Sequence, residues 1–413
     1  MRTIRCIVVA TVIALSAGMA MAGNPSDETY VPIQSRADLQ RYLEATPIAE
    51  SPLSRLSPMG RRRFLEDINF TARGIGGYRF GDLLAELTAD EIREVLALFG
   101  LRASSGLLND ARDVNRNDRP SRWPVPQEPT AIGIKFDQLR ALERLPEDAD
   151  AGLTDAVRAH AMHDSYDKLF GAEESSSLAE VSDTDLDLLF RAANMVIGIT
   201  NDPKYFDNMD RLLVELQARN LAQKDHYRVV HEALVLTRNF DRADALARAH
   251  PSLELAAIPT IVDKVPTDYT GPTAWLVSQD RYQLIHQAVE LDAPAMVIVT
   301  AHPGCGFSRE AMKTIESDPV LGPVFAKHAN WLAPQDGRLD VELLQQWNRE
   351  HPAVEMTLAV DTREWPAVDD WKTPTFYFFK NGELATKVSG WPLDGTGHRD
   401  EVVAALGEIG LLE

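Results

Sequence analysis

Cysteine is almost missing from this 413-residue chain, which has two, Cys6 and Cys305. Basic residues are also in short supply: 42 Lys and Arg stand against 62 Asp and Glu, a formal charge of -20. Such a surface repels phosphate backbones and anionic headgroups, which excludes nucleic acid and acidic lipid as expected partners. No long low-complexity tract interrupts the chain, and a hydrophobic content of 45% with 25% charged residues is that of a globular protein. An apolar run long enough for a membrane anchor is absent too; the longest, residues 6–17, follows Arg2 and Arg5 and precedes Ala20-Met21-Ala22. That is the pattern of a secretory signal peptide over residues 1–22, and no cysteine follows it for lipid attachment. The sequence therefore predicts an exported protein, periplasmic in a Gram-negative source, with no membrane insertion after cleavage. Cleavage takes the formal charge to -22 and removes Cys6, leaving Cys305 as the sole thiol. Exported proteins mostly pair their cysteines, so an odd one points to an intermolecular bond or a reactive thiol.

The length favours two or three domains. Residues 39–101 are rich in helix formers, and Thr88-Ala89-Asp90-Glu91 has the form of a capping box before Ile92, Val95, Leu96 and Leu98. Pro120, Pro124, Pro126 and Pro129 then predict a long loop. Helical periodicity returns: Ser182-Asp183-Thr184-Asp185 opens one segment, and others cover residues 206–220, 224–237 and 241–249. Residues 227–251 resemble a tetratricopeptide-type hairpin at Phe240, Ala243, Ala245, Leu246, Ala249 and Pro251, without the glycine near its turn and without a second copy. Beyond residue 258 the period changes. Residues 281–290 predict a helix, Met296-Val297-Ile298-Val299-Thr300 a buried strand, and 308–328 and 341–350 helices. Residues 356–360 read as strand, 375–379 and 383–388 as a hairpin about Asn381-Gly382, and 399–411 as a closing helix.

Three local features carry a family resemblance: a strand ending just before Cys305 at a helix start, Thr373-Pro374-Thr375 leading into a strand, and Phe378-Phe379-Lys380-Asn381-Gly382-Glu383. Together these resemble the thioredoxin-like superfamily over about a third of the chain. The resemblance implies a cis Pro374 beside the reactive sulfur of Cys305. The expected fold is an α-helical N-terminal region followed by an α/β thioredoxin-fold domain. Its expected parts are a helical region over 23–118, a proline-rich loop over 119–135, an α-hairpin domain over 136–260 and the thioredoxin-like domain over 265–413.

Physical chemistry supports Cys305 independently. A sulfur at a helix N-terminus faces unpaired N–H groups and the positive end of the dipole, which favours thiolate, the attacking form. His302, in the same loop, would add to this when protonated. In Cys305-Gly306-Phe307-Ser308 the resolving thiol is replaced by Ser308, a tetrapeptide similar to that of monothiol glutaredoxins. The glutathione-contact motif of those proteins does not follow Pro374, which argues against a bound iron–sulfur cluster. Thioredoxins also place a buried acid where this chain has Val299 and a tryptophan where it has Gly304. The candidate site is thus Cys305, Ser308, Thr373, Pro374 and His302, with no cofactor, glutathione as a candidate co-substrate, and Trp365 and Trp371 as candidates to flank the groove.

Two weaker patterns read as surface chemistry. His160, His163, Asp164 and Asp167 share a helical face that a metal could reach, although a solvated polar face explains them. Asp113, Asn115 and Asn117 alternate as in a calcium loop, but Asp118 and Pro124 replace its glycine and glutamate. The leading expectation is one-thiol exchange with exported proteins bearing disulfides or thiols, the chemistry of a thiol–disulfide oxidoreductase or isomerase. The alternative is a non-catalytic periplasmic binding module with a degenerate thioredoxin domain.

Overall fold

The computed structural model describes residues 32–71, 74–103, 128–143, 154–392 and 398–412. The expected signal peptide over 1–22, the Asp113 loop and residues 119–127 of the proline-rich stretch lie outside the described residues. Two compact units divide the chain: Met1–Glu143, Lys168–Ala193 and Asn208–Tyr227 form the first, and Arg144–Asp167, Asn194–Asp207 and Arg228–Glu413 the second.

The first unit opens with α1 (Arg36–Ala45) and α2 (Pro58–Asp67), each begun by a serine whose side chain accepts an N–H of the first turn. A short antiparallel hairpin, β1 (Asn69–Thr71) and β2 (Gly74–Gly77), interrupts the helices expected here. Gly74, which opens β2, takes φ +106, a backbone that only glycine adopts without strain. Next come α3 (Gly81–Glu86) and α4 (Ala89–Ala97), the latter with both halves of the Thr88–Glu91 capping box in place. Leu53, Phe64, Leu83, Ile92, Val95 and Phe99 pack into one core, where full burial contributes roughly 1.5–3 kcal/mol per large side chain. Asp82 sits in this unit between Arg63 at 3.0 Å and Arg191 at 3.2 Å, and burial, which opposes ionisation, is outweighed by the two guanidinium charges, so its carboxyl titrates below its usual range.

Helices α5 (Ala131–Glu143), α6 (Asp155–Ser175), α7 (Asp183–Thr200), α8 (Phe206–Ala218), α9 (Lys224–Leu236) and α10 (Phe240–Ala249) follow. The first begins at Ala131, inside the loop expected over 119–135, because Thr130 supplies a cap by accepting the Gly133 N–H at 2.9 Å. Three residues join α9 to α10, and Arg238 there takes φ +61 in place of the missing glycine. A left-handed residue with a side chain costs about 1–2 kcal/mol. Hydrogen bonds from the half-buried Arg238 guanidinium to the carbonyls of Asp336, Ala359 and Val360, at 2.8–3.0 Å, offset that cost.

The second unit is built on a mixed eight-stranded sheet. Its strands are β3 (Thr260–Asp263), β4 (Thr273–Val277), β5 (Gln283–Ala288), β6 (Ala295–Thr300), β7 (Ala329–Ala333), β8 (Met356–Ala359), β9 (Thr375–Lys380) and β10 (Glu383–Ser389). They lie in the order β10-β9-β6-β7-β8-β4-β5-β3, parallel at β6–β7, β7–β8 and β3–β5 and antiparallel elsewhere. Helices α11 (Gly306–Ser317), α12 (Leu321–His328), α13 (Val341–Glu350) and α14 (Arg399–Glu408) complete it. A helical N-terminal region followed by a C-terminal mixed sheet is the arrangement expected. Strand period explains the core: Met296, Ile298, Tyr377 and Phe379 enter one cluster with Trp365 and Val368, while the alternate residues Val297, Val299, Phe376 and Phe378 are equally buried on the other face.

Three expectations change here. Residues 281–290 are strand rather than helix: β5 pairs with β4 from Thr273↔Ala288 to Val277↔Leu284, so the ladder outweighs a weak helical period. The sheet also begins at Thr260, before residue 265, through four residues too few to show a pattern of their own. Residues 308–328 form two helices rather than one, since Asp318-Pro319 ends α11 and the Asp318 carboxylate accepts the N–H groups of Val320 and Leu321.

Candidate functional site

The end of β6 sets the site. Thr300, fully buried, accepts the Thr375 N–H at 3.2 Å and donates to the Lys372 carbonyl at 2.8 Å, tying the segment before β9 to the strand that leads to Cys305. The peptide bond between Thr373 and Pro374 is cis, as the resemblance implies. Loop residues 301–304 then turn the chain into α11: Cys305 is its N-cap, its N–H donates to the His302 carbonyl at 2.9 Å, and its carbonyl accepts the Arg309 N–H at 3.1 Å. The sulfur of Cys305 is half-buried and unpaired with any other cysteine.

At 3.3 Å from Cys305 Sγ lies the Thr373 carbonyl, which accepts from the thiol. Burial pushes the thiol up, but hydrogen bonds from the Thr373 and Ser308 side chains and from the Phe307 and Ser308 backbone favour thiolate more strongly, so the net shift is downward. Ser308 is fully buried and its hydroxyl accepts the His302 N–H at 3.3 Å. That leaves the hydroxyl proton available to the sulfur. Four of the five expected residues, Cys305, Ser308, Thr373 and Pro374, are therefore brought to one place.

His302 is turned elsewhere. Its Nδ1 accepts the Gly304 N–H at 3.1 Å, and its Nε2 faces Asp340 Oδ2 at 3.5 Å and Asp336 Oδ2 at 3.9 Å. It is not among the main groups acting on the sulfur. Asp336 and Asp340, from the β7–α13 loop, were not foreseen; their one sequence signal is the turn-forming Asp336-Gly337 pair. The three groups lie within 4.8 Å of one another. A metal on Nε2 would require the ring proton on Nδ1, opposed to the Gly304 N–H, so the set reads as an acid–imidazole pair.

No family model and no curated protein matches the chain. Among solved structures, the solution structure of a chain described as a thioredoxin from Neisseria meningitidis aligns at 19% identity over 34% of this chain and 93% of its own, with a TM-score of 0.23. A likeness at that score adds nothing to the geometry above.

The remaining candidates separate from the site. Trp365 is 2% exposed, in the core, and meets Trp371 edge-on with ring centroids 6.5 Å apart, so it fills the interior. On α6, Asp167 already accepts from Lys204 Nζ at 2.9 Å and Tyr205 Oη at 3.0 Å, and His160 and Asp164 are exposed, so that face is an ion-paired surface. A cavity of about 400 Å³ lined by Met312, Ile315, Phe325, Trp331 and Val354 includes none of the site residues. Among the described residues no helix is long and apolar enough to cross a membrane.

Proposed function

We propose that the sheet domain has the thioredoxin fold and performs one-thiol exchange through Cys305. The observation that carries this reading is the sulfur itself: an unpaired thiol at a helix N-terminus, drawn toward thiolate against the effect of burial, 3.3 Å from the carbonyl that precedes a cis proline. In the first step the Cys305 thiolate attacks one sulfur of a partner disulfide. The Cys305–partner bond forms, the old S–S bond breaks, and the departing sulfur leaves as thiolate. Ser308 offers no second sulfur, so an external thiolate attacks the partner sulfur of the mixed disulfide: a new disulfide forms between that sulfur and the external thiol, the Cys305–partner bond breaks, and Cys305 leaves as thiolate. Glutathione or a protein thiol would supply that step, with no bound cofactor. Helix-end donors stabilise the thiolate both before attack and as the leaving group on release.

The leader-like residues 1–22 and the single remaining cysteine support placing this chemistry in an exported, periplasmic setting, on exported proteins with disulfides or thiols. The acidic surface disfavours nucleic acid as a partner. The test is capture of mixed disulfides from cells expressing the full chain. Wild-type protein should yield adducts that disappear on reduction and are lost in Cys305→Ala. An identical adduct set from Cys305→Ala would refute the proposal, and a thiol that alkylates with the pH dependence of a free cysteine would favour a binding role instead.

A further inference from the structure

We infer that His302 is a positioning residue for Cys305: Asp336 and Asp340 hold its imidazole with the proton on Nε2, and its bare Nδ1 braces the loop in front of the sulfur through the Gly304 N–H. Its consequence for reactivity rests on the exchange reading above, while its geometry does not.

A backbone N–H can only donate, so the 3.1 Å contact from Gly304 requires a lone pair on Nδ1. Neutral imidazole must then carry its proton on Nε2. What faces Nε2 is two carboxylates, at 3.5 and 3.9 Å, too far for short hydrogen bonds but close enough for their charge to favour an N–H pointed at them. Their placement is built into the loop. Asp336 uses its other oxygen, Oδ1, to accept the N–H groups of Arg338 and Leu339 at 3.0 and 2.8 Å, which leaves Oδ2 on the side of the ring. From α11, Arg309 is engaged by the Pro303 carbonyl at 3.0 Å, and the Cys305 thiol by Thr373.

Gly304 is a second and independent sign that the ring belongs over this loop. A Cβ there would lie 3.0 Å from His302 Nδ1 and 3.2 Å from Cε1, with Leu343 of α13 at 3.7 Å on another side. Glycine is what lets the imidazole fold back far enough to reach the N–H. The residue immediately before Cys305 is therefore fixed by His302 rather than by a side chain of its own.

The test combines a spectrum and a rate on the full chain. Two-bond 1H–15N correlation spectra, with His302 assigned by the signals lost in His302→Asn, should show the Nε2–H form favoured roughly fivefold or more, the bias one net hydrogen bond supports. The Asp336→Asn, Asp340→Asn double variant should reduce that bias. His302→Asn keeps an acceptor for the Gly304 N–H and should alkylate at Cys305 within about twofold of wild type, whereas His302→Leu should change the rate by roughly fivefold. A ring protonated on Nδ1, a shift of the His302 signals on adding Zn²⁺, or equal alkylation rates in the Asn and Leu variants would each overturn the inference. If wild-type Cys305 does not alkylate at all, the exchange reading falls, and the ring spectrum alone decides this one.

Discussion

Replacing Ser308 by alanine isolates the part of the Cys305 environment that the Cys-x-x-Ser pattern retains. The hydroxyl is fully buried, accepts the His302 N–H at 3.3 Å, and is among the groups that favour thiolate. A hydrogen bond to a charged group is worth about 1.5–3 kcal/mol, which corresponds to roughly a 10- to 100-fold change in an equilibrium. The Phe307 and Ser308 N–H groups and the Thr373 side chain remain in the variant, so the expected effect lies at the lower end, about a tenfold fall in the ionisation constant of the thiol. The assay is the second-order rate of iodoacetamide alkylation against pH, with single-adduct formation checked by intact mass. A melting curve and far-UV circular dichroism establish that Ser308→Ala is folded. The wild-type rate should reach its plateau at lower pH than a free thiol, and the Ser308→Ala plateau should be reached at higher pH than wild type. Coincident profiles from a folded variant would refute the assignment of the hydroxyl to the sulfur and leave the Thr373 side chain and the helix-end N–H groups as the source of the shift.

Three further outcomes concern stability and are read by chemical denaturation. Asp82→Asn removes the carboxylate shared by the buried Arg63 and the half-buried Arg191, which keep Asp137 at 3.3 Å and Asp187 at 4.0 Å, and should cost about 3 kcal/mol at pH 7, the lower end for a broken buried pair. Because the folded-state value of Asp82 lies below its usual one, the contribution is present above the ordinary carboxylate range and fades as pH falls through the folded value. Asp318→Ala removes the cap on α12 and should cost about 1 kcal/mol, with the exposed Arg399 partner adding little. The Arg399 hydrogen bond and two backbone N–H groups hold Asp318 at about 2, so wild type and Asp318→Ala should converge as pH falls from about 4 towards that value. Arg238→Met strips donors from the carbonyls of Asp336, Ala359 and Val360, together with the cation–π contact on Trp275, and should cost about 3–5 kcal/mol at roughly 1–3 kcal/mol per carbonyl left unpaired, whereas a neutral outcome would mean that those carbonyls find other donors.

Where sequence patterns were legible, one strong local signal decided each element. Thr88 and Glu91 announced a helix start that the structure has, and Asn381-Gly382 announced the turn between β9 and β10. The loop before Cys305 was likewise visible as a short local pattern, whereas the cis Thr373–Pro374 bond was expected from the family resemblance alone. Failures occurred where long-range pairing decides. Gln283–Ala288 has one fully buried residue, Leu284, and its strand identity comes from β3 on one side and β4 on the other. The direction of the His302 ring was illegible for the same reason, since Asp336 and Asp340 lie more than thirty residues away in sequence.

That distance also bears on what frames the Cys305 loop within the second unit. The Asp336–Asp340 loop is held from residues that precede the sheet: Gln335 donates to the Leu236 carbonyl at 2.7 Å, Arg238 to the Asp336 carbonyl at 3.0 Å, and Arg338 lies 3.3 Å from Glu232. Gly337 has no room for a side chain, since a Cβ would stand 2.6 Å from the Glu232 carbonyl oxygen. These contacts join backbone to side chain in both directions, so the loop cannot shift without leaving the Leu236 and Asp336 carbonyls short of a partner. Arg238 is drawn down to about 10 by burial yet stays charged at neutral pH, which keeps its donors available over the whole range in which a thiol titrates. The acids opposite His302 are thus fixed by residues 232–238 rather than by the sheet. A fragment starting at residue 265 would retain Cys305, Ser308 and Pro374 but lose the anchor of the pair that orients His302, so the site's smallest complete frame begins before Glu232.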